Sequence, residues 1–209
     1  MSRNCESART KILDYSPGLF VNREEAIDLV VGKVRNISAG KPERKRVIVF
    51  WGYRGAGKTW LLRHLAETVL PEIPGVCAVY VNLQDFKDKP AEDAVRDIIG
   101  KILEALQRAQ RQKPNVSFLY EPTPLPLHRA AHFLTQALGN TNLVLVLLVD
   151  CVYEAAPELL DLLEKHVLGP LVVNPRVVIV MAGRGQGYAW ETATLRIQAE
   201  DCELKPFDK

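Results

Sequence analysis

The sequence predicts an α/β fold in three layers, a mainly parallel sheet of five strands covered on both faces by helices. Three observations carry it. Short runs that are apolar at nearly every position alternate with longer stretches of helical periodicity, as strands buried on both faces and joined by crossover helices require. One run, Arg46 to Trp51, passes directly into a glycine-rich loop that opens a helix. Another, Leu143 to Val149, runs straight into Asp150.

The elements follow in order. After a polar arm, a helix with Ile27, Val30, Val31 and Val34 on one side lies ahead of the first strand, and residues 1–45 hold both. The next helix begins near Lys58, carries Leu61, Leu62, Leu65, Ala66 and Val69 at helical spacing, and is stopped by Pro71. Val76 to Leu83 is the second strand. A long amphipathic helix spans Ala91 to Gln110, with Val95, Ile98, Ile99, Ile102, Leu103 and Leu106 on its apolar side. Lys113 to Pro126 holds four prolines and reads as a stiff loop. A helix over Leu127 to Leu138 is ended by Gly139 and Asn140. After the third strand come a helix from near Pro157 through Leu168, a fourth strand Val177 to Met181, and a short fifth around Cys202 to Leu204.

Composition bounds the reading to one domain. The chain has 209 residues, 47 % hydrophobic and 25 % charged, enough for a single large core. A net charge of +2 is too small to argue for nucleic acid by itself. Met1 to Lys11 is polar, without an apolar signal region, and no apolar run approaches the ~20 residues that span a bilayer, so the expected location is the cytoplasm with no membrane partner. Cys5, Cys77, Cys151 and Cys202 are scattered without metal spacing, which favours reduced thiols.

The loop carries the chemistry. Gly52, Tyr53, Arg54, Gly55, Ala56, Gly57, Lys58 and Thr59 complete the pattern GxxxxGK(S/T), with Trp60 next. Its glycines let successive amide N–H groups converge on a phosphate. Lys58 can then reach the β- and γ-phosphates, Thr59 can offer its hydroxyl to Mg²⁺, and the following helix aims its positive end at the anion. Asp150, at the carboxyl end of an apolar strand, stands where such sheets bind ligands, and beside this loop it is the expected second Mg²⁺ partner.

These motifs together resemble the additional-strand class of P-loop NTPases, and within it the STAND signalling ATPases and their relatives in the AAA+ group. The resemblance implies a sheet order of 5-1-4-3-2 and the cofactors ATP or ADP with Mg²⁺. Three further stretches carry it. Phe20, Val21, Asn22, Arg23, Glu24 and Glu25 look like the box that precedes the phosphate loop and lines the adenine pocket, which makes Phe20, Val21 and Arg23 nucleotide contacts. Asn22 as an N-cap with Glu25 three residues on would explain the same letters as a helix start. Val177 to Arg184 resembles the fourth strand with its sensor residue, so that Arg184 would meet the β- or γ-phosphate; a solvated arginine in a glycine-rich loop is the bland alternative. Glu203 to Phe207 resembles the strand after which the family's lid begins, and a lid is not contained in this sequence.

One departure concerns hydrolysis. AAA+ ATPases usually follow this aspartate with a glutamate that polarises water, whereas this chain has Cys151. Glu154 would serve as the catalytic carboxylate if the turn folds back, or else is a solvated acid. The expected function is therefore a nucleotide-dependent switch with slow hydrolysis, using Lys58, Asp150, Glu154 and Arg184; the alternatives are an AAA+ ATPase in a DNA-associated process or a non-hydrolysing interaction module. The resemblance implies a protein partner or attached effector domain, a nucleotide-dependent homo-oligomer, and a chain that is a fragment or minimal form. His128 and His132 stand four apart on a helix but lack a third ligand, so zinc is not expected. Lys41, Arg44, Lys45 and Arg46 read as a solvated linker face, and Trp51 and Trp60 as packing under the loop.

Overall fold

The computed structural model describes residue 16, residues 23–111, residue 119, residues 125–183 and residues 190–205. Five strands, β1 (Val47–Trp51), β2 (Val76–Asn82), β3 (Val144–Asp150), β4 (Val177–Gly183) and β5 (Ala199–Glu203), form one sheet. Its order is β2-β3-β4-β1-β5 and every pairing is parallel, so the expected 5-1-4-3-2 arrangement is present.

Alternation of side chains decides the layering. Ile48 and Phe50 of β1, Val146 and Leu148 of β3 and Val180 of β4 pack with α1 (Glu24–Ser38) and α2 (Lys58–His64). Val47, Val49, Leu145, Leu147, Ile179 and Met181 face the opposite way. There they meet α3 (Ala91–Ala109), α4 (Leu127–Gly139), α5 (Pro157–Leu163), α6 (Gly169–Val173) and α7 (Ala193–Gln198). Covering both faces removes any place for a polar residue inside β3 or β4, which is why these strands read as unbroken apolar runs. Each fully buried aliphatic side chain contributes about 1.5–3 kcal/mol before chain entropy is counted.

Two helices contain a wide turn ahead of a proline. After α2 the chain makes a wider, π-type turn over Leu65–Val69 and a tight turn over Leu70–Glu72. After α5 a second wide turn covers Glu164–Leu168, and α6 then carries on to Val173, past the expected end at Leu168. Both wide turns stop two residues short of a proline, Pro71 and Pro170. A proline offers no N–H and its ring crowds the carbonyl four residues back. Widening the turn moves that carbonyl aside; the helix runs on past Pro170 to Val173, whereas the run through Pro71 ends at Glu72, as its proline predicts. The six residues of α7 are too few to show a period and were not expected.

Arg46 corrects the reading of its basic run. Lys41, Arg44 and Lys45 are exposed, but Arg46 is buried, with its guanidinium donating to the carbonyls of Val172 (2.8 Å), Asn174 (2.5 Å) and Val177 (3.1 Å). Those oxygens lie at the end of α6 and the start of β4, where a helix leaves carbonyls without partners. Buried Glu164 does the reverse at α7, accepting from the Thr192 N–H at 2.6 Å. Among the described residues no helix is long and apolar enough to cross a membrane.

Candidate functional site

Parallel pairing brings all the carboxyl ends of the strands to one edge. Trp51 is opposite both Gly183 and Glu203, and Asn82 is opposite Asp150. Ligands of open α/β sheets bind at this edge. From it the loop 52–59 leaves β1 and enters α2.

Two glycines in the loop are required by geometry. A Cβ on Gly52 (φ +154°) would lie 2.5 Å from the carbonyl oxygen of Leu204. Gly57 (φ +81°) takes the left-handed conformation at the position that caps α2. Lys58 Nζ donates to the carbonyls of Gly52 (2.7 Å) and Tyr53 (2.8 Å), so its charge is held across the opening residues of the loop. Arg23 Nη2 donates to the carbonyls of Ala56 (2.7 Å) and Lys205 (2.8 Å), and burial pushes the guanidinium pKa down from its usual value. Thr59 and Trp60 are half-buried in the first turn of α2, and Trp51 is half-buried at the end of β1. Tyr53 and Arg54 are exposed.

Asp150 falls on the α2 face of the sheet, because it shares the alternation of Val146 and Leu148. It is buried to 2 % exposure. Its Oδ2 accepts from the Tyr80 hydroxyl (2.9 Å) and its Oδ1 from the Cys151 N–H (2.8 Å). Burial, and then the Asp150 charge, push the Tyr80 phenol far up from its usual pKa. Arg63 of α2 stands with its Cζ 5.8 Å from the centre of the Tyr80 ring. Cys151 adopts a left-handed conformation (φ +59°, ψ +36°), uncommon for a residue with a side chain and concentrated at functional turns. The tight turn Val152–Glu154 follows, and the Tyr153 ring lies on Gly183 so closely that a Cβ there would collide with it. The Glu154 carboxylate accepts a hydrogen bond from the Gln84 amide.

The fold thus brings the loop, Lys58, Thr59 and Asp150 to one edge and one face, with Glu154 on the turn after β3. Phe20, Val21 and Arg184 lie outside the described residues. His128 and His132 are exposed, and among the described residues there is no cluster of three or more His, Cys, Asp or Glu that could by itself hold a metal ion. The residues fit a polyphosphate carrying one hard divalent cation. Each oxygen of Asp150 takes one donor and keeps a lone pair for a cation or its water, and a cationic ammonium sits inside a loop of turned backbone. Sequence reasoning missed Tyr80, Arg63 and Gln84. A tyrosine interrupting the otherwise apolar strand Val76–Val81 just before its carboxyl end was the available signal.

The family model described as AAA domain matches residues 41–181. No curated protein matches the chain in sequence. Among solved structures, the chain is similar to Cdc6p from Pyrobaculum aerophilum at 18% identity and a TM-score of 0.64, over 93% of this chain and 48% of that one. It is similar to the Aeropyrum pernix Orc1 protein, solved in complex with DNA, at 17% identity and a TM-score of 0.62, over 90% and 47% of the two chains. AMPPCP-bound DnaA from Aquifex aeolicus matches at 15% identity and a TM-score of 0.50, over 91% and 49%. The chain spans about half the length of each of these, and at such identities the likeness is one of fold.

Proposed function

Because the chain belongs to the AAA domain family, we propose that it binds Mg·ATP and ADP at the loop 52–59 and acts as a nucleotide-dependent switch with slow hydrolysis, in the manner of STAND ATPases. The observation that carries this reading is a buried carboxylate, Asp150, in step with the sheet face on which α2 packs, the helix that Lys58 and Thr59 open. In the proposed mechanism the loop N–H groups and Lys58 hold the phosphates, and the Thr59 hydroxyl and Asp150, the latter through water, hold Mg²⁺. When bound, the ion neutralises charge on the phosphate oxygens. Phe20 and Val21 would lie on the adenine side, and Arg184 would report the γ-phosphate. Water would be oriented weakly, since Cys151 offers a thiol where a carboxylate is usual and Glu154 is engaged by Gln84.

A protein partner or attached effector domain, nucleotide-dependent self-association and a cytoplasmic setting belong to the same proposal. DNA association is a second reading, favoured by the fold shared with an Orc1 protein solved on DNA. The net charge of +2 gives it no electrostatic support. Calorimetric titration with Mg·ATP tests the main reading. Lys58→Ala is expected to weaken binding by about 10² fold or more, because a charge on phosphate is lost. An unchanged dissociation constant would remove the loop as the phosphate site.

A further inference from the structure

We infer that Arg23 is a positioning residue for the phosphate loop, acting on the peptide between Ala56 and Gly57. The inference rests on the nucleotide reading above and assigns Arg23 a role on the phosphate side of that site, where its motif suggested the adenine side. A peptide unit is planar and trans, so its carbonyl and its N–H point in opposite directions. Fixing the Ala56 oxygen therefore fixes the direction of the Gly57 N–H, one of the donors the loop offers to an anion. Arg23 Nη2 holds that oxygen at 2.7 Å with a cationic donor.

The same nitrogen is braced from the other side. It donates to the Lys205 carbonyl at 2.8 Å, on the segment leaving β5. That segment is itself tied to the root of the loop, because the Leu204 N–H donates to the Trp51 carbonyl at 2.7 Å and the Leu204 oxygen fills the space a Gly52 side chain would need. Arg23 closes a ring that runs from the end of β1, through Leu204 and Lys205, to Ala56. At the loop's other end Lys58 holds the Gly52 and Tyr53 carbonyls in the same manner, fixing the N–H groups of Tyr53 and Arg54. At Ala56 the carbonyl is held by Arg23, while the Ala56 N–H donates to the Tyr53 carbonyl at 3.2 Å, so the turn is tied on both sides.

The test compares two ligands that share phosphates and differ in the nucleoside. Wild type, Arg23→Gln and Arg23→Lys are titrated with Mg·ATP, and with inorganic tripolyphosphate by displacement of a fluorescent ATP analogue. Amide hydrogen exchange is followed over residues 52–58 in the ligand-free protein. Arg23→Gln is expected to weaken both ligands by the same factor, about tenfold to a hundredfold, with unchanged stoichiometry and faster exchange confined to the loop. Arg23→Lys, a point charge without the planar fork, should fall between the two. A loss for ATP with none for tripolyphosphate would place Arg23 on the nucleoside side and overturn the inference. Unchanged exchange over residues 52–58 would overturn it as well. If Arg23→Gln lowers the binding stoichiometry through unfolding, the comparison in Arg23→Lys decides by the same criteria. Wild type that binds neither ligand would instead remove the nucleotide reading.

Discussion

Cys151 occupies a backbone conformation that costs an L-residue about 1–2 kcal/mol, at the position immediately after the buried aspartate. Because glutamate, like cysteine, is unbranched at Cβ, Cys151→Glu meets a similar cost and changes chemistry while keeping the turn. A positioned carboxylate typically contributes about 10²–10⁴ fold as a general base, so steady-state phosphate release at saturating Mg·ATP is expected to rise in Cys151→Glu from a slow wild-type rate. If Glu154 is already the base, Glu154→Gln abolishes turnover and Cys151→Glu adds nothing. Tyr80 affords a separate test of Asp150. Tyr80→Phe removes the donor on Oδ2 and keeps the ring beside Arg63, so it is expected to weaken ATP by about tenfold when Mg²⁺ is present and leave Mg²⁺-free binding unchanged. Equal losses with and without Mg²⁺ would show that the hydroxyl supports only the fold. The loop and Asp150 were legible as letters because their chemistry depends on residue types at fixed spacing. Tyr80 was not, since its role arises from pairing between β2 and β3, which brings together residues seventy positions apart.

At the scale of elements, the strands and most helices were legible because both sheet faces are covered, and the sheet order followed from the family resemblance. What escaped was local geometry around proline and the destination of a long side chain. The helix from Pro157 was expected to end at Leu168, yet the wide turn Glu164–Leu168 carries the chain past Pro170 into α6. Arg46 reads as part of a solvated run, yet it ends in the carbonyls of Val172, Asn174 and Val177. Nothing in the letters Lys45 and Arg46 says which one turns inward. That depends on β1 starting at Val47, one residue later, between two packed strands. Replacing Arg46 with methionine keeps much of the volume but strands buried acceptors, and a loss of about 2–4 kcal/mol in urea unfolding is expected. Arg46→Lys should recover only part of it, because an ammonium cannot present the planar fork that serves three carbonyls. Full recovery by lysine would show that charge, rather than the directed hydrogen bonds, holds the end of α6.

The whole molecule is two cores on opposite faces of one sheet, and two histidines allow the faces to be probed separately. His64 closes α2 on one face, and His166 lies in the wide turn after α5 on the other. Burial lowers the pKa of His64, while burial first and then the charges of Lys165 and His128 lower that of His166, against smaller opposing effects of Asp161 and Glu92. A histidine with a folded pKa below its unfolded value of about 6.5 binds its proton more readily in the unfolded chain. Stability is therefore full above that value and declines as pH falls through it toward the lowered folded pKa. Urea midpoints measured from pH 7.5 to 5.5, above the range where most carboxylates titrate, should fall for wild type. The fall should be smaller in His64→Gln and in His166→Gln. Since the two groups lie on opposite faces of the sheet, the double variant should lose the sum of the two pH effects. A double variant that loses clearly more or less than the sum would mean that the layers are coupled through β1 and β3, and that neither core can be treated as independent. A wild-type midpoint that stays flat over this range would instead show that neither imidazole is held neutral by the fold.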